Sequence, residues 1–349
     1  MRIKTADLQV MLSKLSNVIP SRTTLPLEQC VRLRAEGGVL HGYAVDSGNG
    51  VSLELACACD GDLEEVFVDG TIVKIARLLS GDVTELSIGG TELNLHCEDV
   101  RSRHRLDVGP MPSIGGGEFV DAGILYRDVL SSIYSNAIPI CYLKPGQYIA
   151  SAVMFEKGSV YTTDGISAVR VSCPDLDMVA TPPFSSISAL AKVAIGDVRV
   201  SRCAGAIKFA GDDMILMSSE VSLAVPALGK LLFDVKRNNS VYDIDVAATR
   251  SALDGCLVYA QAAGKLDMHL DVAPDGITVC SCNDELRVIV SAEATTSETI
   301  AFDAKRIAAA MRTMGDTCEM HFTNPESPVL FIGGTCEYIL YPMRFVRPL

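Results

Sequence analysis

The residues best able to do chemistry in this 349-residue chain are its 12 cysteines and five histidines. Their spacing argues against a metal centre. The only close cysteine pairs are Cys57/Cys59 and Cys280/Cys282. A C-x-C spacing in a strand puts both thiols on one face but supplies no second pair for a tetrahedral zinc site. His41, His96, His104, His269 and His321 are scattered, and His96 and Cys97 point to opposite faces of one strand. The cysteines read as small apolar residues in buried strands of a reducing cytoplasm, with neither metal nor cofactor expected. No GxxxxGK[ST], GxSxG, HExxH or strand-GxGxxG-helix unit is present, and nothing pairs two carboxylates for acid–base work. Asp164 and Asp275 each precede a glycine, which is turn chemistry. The expectation is a protein that is not an enzyme.

Bulk properties narrow the classes further. No run of 18 apolar residues suggests a membrane span, and Met1 to Val10 lacks a signal-peptide core. With 48% hydrophobic and 21% charged residues the chain is globular. Tryptophan is absent and aromatics reach only 6%, too few for a stacking platform on single-stranded nucleic acid. The net charge of −13 disfavours tight binding of any polyanion.

The elements that hold these residues come in repeats. Three helical apolar stripes each run into a Gly-Asp pair: Ile72, Ile75, Ala76 and Leu79 before Gly81-Asp82; Ile187, Leu190, Ala191 and Ala194 before Gly196-Asp197; Ile307, Ala310, Met311 and Met314 before Gly315-Asp316. The glycines lie 115 and 119 residues apart and are expected to cap the helices in the left-handed conformation. Each is followed by a hairpin pattern. A second stripe also recurs, at Leu8, Leu12, Leu15 and Ile19, at Val129, Leu130, Ile133 and Ala137, and at Leu253, Cys256, Leu257 and Ala260, the last interrupted by Gly255. The first two end in Pro20 and Pro139, which are expected to stop their helices. The reading is α+β, with three repeated domains at 1–116, 117–233 and 234–349, each with two helices packed on antiparallel sheets.

Charge divides along the same lines. Helices at roughly 5–19, 70–80, 126–138, 184–194, 247–261 and 303–314 hold nine bases (Lys14, Lys74, Arg77, Arg127, Lys192, Arg250, Lys305, Arg306, Arg312) and four acids (Asp7, Asp128, Asp254, Asp303). That surplus of five leaves −18 for the rest of the chain. A mildly positive helical face suits weak, nonspecific, salt-sensitive contact with duplex phosphates. No basic recognition helix, zinc finger or RNP aromatics would read bases. In Arg101-Ser102-Arg103-His104-Arg105 the three arginines share one strand face, where charge also blocks stray pairing.

With these features the chain resembles the bacterial sliding clamp, the β subunit of DNA polymerase III, over essentially its full length. The resemblance is carried by Arg22-Thr23-Thr24-Leu25-Pro26, Arg101-Ser102-Arg103, Thr163-Asp164-Gly165, Ile300-Ala301-Phe302, Ser327-Pro328-Val329 and Tyr341-Pro342-Met343-Arg344. It implies a head-to-tail homodimeric ring of clamp domains with helices lining the hole. Such a ring encircles double-stranded DNA and tethers the replicative polymerase for processive synthesis. DNA-facing residues would be Lys14, Arg22, Lys74, Arg77, Arg127, Lys192, Arg250 and Arg306. Polymerase and clamp loader would bind through short linear peptides in a groove lined by Ala150, Thr163, Gly165, Pro226, Lys230, Leu231, Ile339, Leu340, Tyr341, Pro342, Met343 and Arg344. The dimer interface would involve His104, Leu106, Tyr259 and Ala260. A clamp-like scaffold or decoy, binding replication partners without being loaded on DNA, is the alternative.

The chain also departs from the family. Ile166, Ser167 and Ala168 stand where many clamps have His-Arg-Leu, so the groove is expected to lose a cation and volume. His104 replaces an aromatic residue at the dimer contact. Val346 to Leu349 extend past the usual end and are expected to lie along the groove or gate it.

Overall fold

The computed structural model describes residues 1–98, 100–141, 152–221, 227–264, 267–281 and 284–344. The first third of the chain holds β1 (Arg2–Lys4), α1 (Thr5–Leu15), β2 (Cys30–Glu36), β3 (Val39–Asp46), β4 (Val51–Ala58), β5 (Leu63–Asp69), α2 (Thr71–Ala76), β6 (Val83–Gly89), β7 (Glu92–Cys97) and β8 (Val100–Asp107). The middle third holds β9 (Val120–Leu125), α3 (Arg127–Ser132), a π-helical stretch Ile133–Ala137, α4 (Ile138–Cys141), β10 (Met154–Glu156), β11 (Ser159–Thr163) and β12 (Ser167–Ser172). It continues with α5 (Phe184–Val193), β13 (Val198–Cys203), β14 (Ala206–Ala210), β15 (Met214–Ser219) and a second π-helical stretch, Gly229–Phe233. The last third holds β16 (Asn239–Asp245), α6 (Val246–Ala263), β17 (Asp267–Ala273), β18 (Gly276–Ser281), β19 (Arg287–Val290), β20 (Glu293–Ala294), β21 (Glu298–Asp303), α7 (Ala304–Thr313), β22 (Thr317–Phe322), β23 (Val329–Gly333) and β24 (Cys336–Leu340).

These elements gather into two compact units, and the middle third is divided between them. Unit 1 is Met1–Arg127 with Asp175–Ser222, and unit 2 is Asp128–Pro174 with Leu223–Leu349. Unit 1 carries one sheet in the order β1-β6-β7-β8-β5-β2-β3-β4-β15-β14-β13-β9. Leu8, Leu12 and Leu15 of α1 are fully buried, each contributing about 1.5–3 kcal/mol. Gly42 on β3 lets α1 come close, since a Cβ there would sit 2.8 Å from both Leu15 Cδ1 and Met11 Sδ. Unit 2 carries two sheets, β10-β11-β12-β24-β23-β22-β16-β20 and β19-β18-β17-β21. Here α6 packs on α7 and on β18, and α7 packs on β24. No helix among the described residues is long and apolar enough to cross a membrane.

Three local readings change. Gly81, Gly196 and Gly315 are not left-handed, because the helices stop before them. The work at these sites falls to the aspartates that follow. The main-chain carbonyl of Asp82 accepts from Thr5 N at 2.9 Å, and that of Asp316 accepts from Val246 N at 3.0 Å. Asp197 Oδ1 accepts from Arg127 N at 2.8 Å. Each thus satisfies the first N–H of the other helix in its repeat, a donor with no intrahelical partner. Pro139 does not stop its helix: the π-helical stretch precedes it, and Pro139 falls in the opening turn of α4, where a missing N–H is tolerated. Gly255 does not break α6, which runs 18 residues from an Asp245 N-cap that accepts from Ala248 N.

Candidate functional site

Most of the expected DNA-facing cations in unit 1 reach solvent. Arg22, Lys74, Arg77 and Lys192 are exposed, and no ion pair holds them among the described residues. Lys14 is mostly spent, with its side chain 13% exposed and Nζ 3.3 Å from Asp213 Oδ2. Arg127 Nη1 donates to Ala191 O at 3.0 Å, placing its charge on the carbonyl end of α5, where the helix dipole favours it.

In unit 2 Arg250 is exposed on α6, but Arg306 is not a surface cation. Asp303 caps α7, its Oδ1 accepting from Lys305 N and Arg306 N at 3.0 Å each. From that first turn the Arg306 guanidinium pairs with Asp164 and donates to Ser167 Oγ at 3.0 Å. Asp164 is fully buried and the Arg306 side chain is only 12% exposed. Asp164 Oδ1 also accepts from Ile166 N at 3.0 Å and Ser167 N at 2.7 Å. Asp164 is therefore a turn residue, as its sequence context implied, and Arg306 locks that turn. The loop Ile166-Ser167-Ala168 carries no cation of its own, and the one that reaches it from α7 is neutralised by Asp164.

This turn opens the groove region of unit 2. Thr163 Oγ1 accepts from Gly165 N and donates to Ser167 O, and Gly165 takes φ 84°. The last strand continues beside it, with Tyr341 N donating to Ile166 O at 3.0 Å and Met343 N to Ala301 O at 2.8 Å. Ile339 and Leu340 are fully buried. Ile339 packs in one buried cluster with Ala168, Tyr161, Leu228, Leu330 and Phe233 of the second π-helical stretch. Leu231 is 59%, Tyr341 41% and Met343 42% exposed, with Lys230 and Arg344 also at the surface. Pro342, Met343 and Arg344 line a cleft with Glu326. Exposed apolar side chains and cations of this kind are what contact an extended peptide. Ala150, Pro226 and the tail from Val346 to Leu349 lie outside the described residues.

The residues expected at a dimer contact divide. His104 faces inward and is buried, 2.9 Å from Ser102 Oγ. Burial pushes its imidazole pKa down, and Asp69 opposes the shift. Leu106 is half-buried opposite Val68, Tyr259 is 39% exposed, and Ala260 lies in the core. Two apolar residues at the surface were not anticipated: Val258 on α6, 66% exposed, and Ile289 on β19, 79% exposed. Strand β19 ends its sheet. Strand β8 pairs with β7 along its length and with β5 only through Leu106 and Asp107, leaving Val100 to Arg105 open on one side. Exposed apolar residues on an open strand were the signal, but which strand is an edge cannot be read from one sequence.

No family model and no curated protein matches the sequence. Solved structures match along the whole chain. The DNA polymerase III β subunit of Thermotoga maritima superposes with a TM-score of 0.85 at 16% identity, covering 99% of both chains. A DNA polymerase sliding clamp from Pseudomonas aeruginosa gives 0.87 at 16%, again over 99% of both. The C. crescentus β sliding clamp gives 0.86 at 18% with the same coverage. From β1 through the C-terminal strand, this chain has the fold of the bacterial DNA polymerase III β subunit.

Proposed function

We propose that the protein is a sliding clamp of the DNA polymerase III β-subunit family, a non-catalytic tether that encircles duplex DNA in the cytoplasm and holds a polymerase on its template. Each chain contributes three domains, 1–116, 117–233 and 234–349, and two chains close head to tail. The observation that carries this reading is a repeated pairing rule. In unit 1 β4 pairs antiparallel with β15, Leu55 opposite Met214. In unit 2 the corresponding strands β12 and β24 pair the same way, Ala168 opposite Ile339. Each pair joins the last strand of one repeat's first sheet to the last strand of the next repeat's second sheet. By this rule β19, which ends its sheet, takes the Val100–Arg105 stretch of β8, which β5 leaves unpaired. A second copy satisfies both, giving six equivalent joints with none left over, a closed ring. Exposed Ile289 and Val258 supply the apolar surface, and Arg101, Arg103 and Arg105 rim the joint.

Arg22, Lys74, Arg77, Lys192 and Arg250 supply weak phosphate contact. Weakness suits the role, because a ring is retained by its closure and strong binding would slow sliding. The exposed apolar residues Leu231, Tyr341 and Met343 take the linear peptides of polymerase and clamp loader. A scaffold that binds these partners without being loaded is the second reading, favoured by the diversion of Lys14, Arg127 and Arg306 into contacts within the chain.

Loading by a clamp loader onto circular and linearised DNA tests the proposal. A tether stays on the circle and runs off the linear form; equal retention on both refutes it. Partner binding with no loading on either DNA supports the scaffold. Mass in solution should be twice the 37.2 kDa of the chain.

A further inference from the structure

We propose that His269, Cys280 and Asp284 form a binding site for one divalent cation of the zinc class. Along β17, Met268, Leu270 and Val272 enter the core, so His269 and Asp271 share the opposite face. On that face His269 lies directly across from Cys280 on β18, the arrangement in which side chains of paired strands meet. An outward sheet face ordinarily leaves such residues partly solvated. Here His269 is 3% and Cys280 0% exposed.

The turn after β18 brings in the third ligand. Ser281 N donates to Leu286 O at 2.9 Å, Leu286 N to Ser281 Oγ at 3.0 Å, and Asp284 N to Ser281 O at 3.0 Å. Leu286 is seated against Gly255 of α6, where a Cβ would come within 2.8 Å of its Cδ2. Held this way, with φ 57°, Asp284 places Oδ1 3.2 Å from His269 Nε2. The imidazole nitrogen, the thiol sulfur and the carboxylate oxygen all lie within 4.8 Å of one another. Around zinc, with bonds of about 2.0–2.3 Å, neighbouring ligand atoms are roughly 3.3–3.8 Å apart, so a small closure suffices. A nitrogen, a sulfur and an oxygen suit a borderline-soft ion rather than calcium or magnesium. Asp284, its side chain 36% exposed, leaves a solvent side for a fourth, water ligand.

Charge balances when the ion is bound. Binding releases the Cys280 thiol proton to solvent and forms the metal–sulfur bond. The thiolate and the Asp284 carboxylate then cancel the two positive charges. Asp271 and Arg287 neutralise each other at 2.9 Å, with Thr299 Oγ1 donating to Asp271 Oδ1 at 2.7 Å. Arg287 also stands 3.4 Å from Asp284 Oδ1; on binding it yields that oxygen and keeps Asp271. In the metal-free chain the Cys280 thiol donates to Asp271 Oδ2 at 3.7 Å; that contact ends when the proton leaves, and Asp271 keeps Arg287 and Thr299 as its partners.

Titration of the reduced, chelator-stripped full chain with Co²⁺ tests this. The expected result is a thiolate-to-cobalt absorption band that saturates at one equivalent per chain and is abolished by added Zn²⁺. Cys280→Ser should remove the band, and Cys59→Ser should leave it. Asp284→Asn, which asparagine tolerates at this left-handed position, should keep the fold by circular dichroism and weaken Co²⁺ at least about tenfold, as loss of one ligand interaction implies. Absence of the band, or a band unchanged by both Cys280→Ser and Asp284→Asn, overturns the proposal.

Discussion

Replacing Arg306 by Met separates a buried structural cation from a DNA contact. The structure places Asp164 at 0% exposure with three donors on it: Ile166 N, Ser167 N and the Arg306 guanidinium. Removing the guanidinium leaves a carboxylate that water cannot reach, supported only by two amides. Stranding a buried charge in this way costs about 3–5 kcal/mol, and the surviving amide bonds favour the lower end. For a unit of this size each kcal/mol lowers Tm by roughly 2–4 °C, so the melting point of unit 2 should fall on the order of 10 °C. The double variant R306M/D164N removes the charge while keeping an oxygen for Ile166 N and Ser167 N. It should recover at least about 1.5 kcal/mol over the sum of the single changes, as coupled neighbours do. Urea unfolding of the four proteins yields the cycle. Direct DNA binding at several salt concentrations completes the test: R306M should leave the slope of log K against log salt unchanged. A loss below about 1 kcal/mol, an additive cycle, or a shallower salt slope for R306M would refute the reasoning.

By contrast, Lys192→Gln, which removes an exposed cation, should leave stability intact and reduce that slope by about 1. Ile289→Lys places a charge on the open edge of β19 and should shift the solution mass from two chains toward one, read by light scattering. Leu231→Ala combined with Met343→Ala should weaken a polymerase-derived peptide on the order of a hundredfold in fluorescence anisotropy, since anchors at a groove carry about 1–2 kcal/mol each. Stability should fall as pH drops below about 6.5. Burial lowers the His104 pKa in the folded chain, so the unfolded state takes up the proton first. His104→Gln should flatten that decline in denaturant unfolding measured from pH 7.5 to 5, and an unchanged profile would assign it elsewhere.

Local patterning was largely readable. The stripe Leu8, Leu12, Leu15 and the alternation through Arg101 to Leu106 show in the burial of those residues, because periodicity is imposed by the backbone itself. Long-range partners were not. The joins of β4 to β15 and β12 to β24 link strands some 160 residues apart by main-chain bonds that leave little mark on side-chain type. Arg306 misled for a related reason: a base in the first turn of a helix looks like any solvated cation until its partner, 142 positions away, is known. His269, Cys280 and Asp284 escaped because strand register and a turn, rather than close spacing, bring them together. The Gly-Asp recurrence was visible, but its purpose lay with the aspartate and a helix start elsewhere in the repeat.

The sharing of the middle third between two units also bears on how the chain fails. The polypeptide passes from one unit to the other at 127–128, 174–175 and 222–223. A protease that severs one passage leaves two covalent threads, so no single scission can set the units free. The same lacing forbids modular dissection. A fragment ending at residue 116 would lack β15 and bare the flank of β4, a template for aggregation. The elements read as repeats along the sequence are thus not separable parts, because β4 finds its partner strand some 160 residues away.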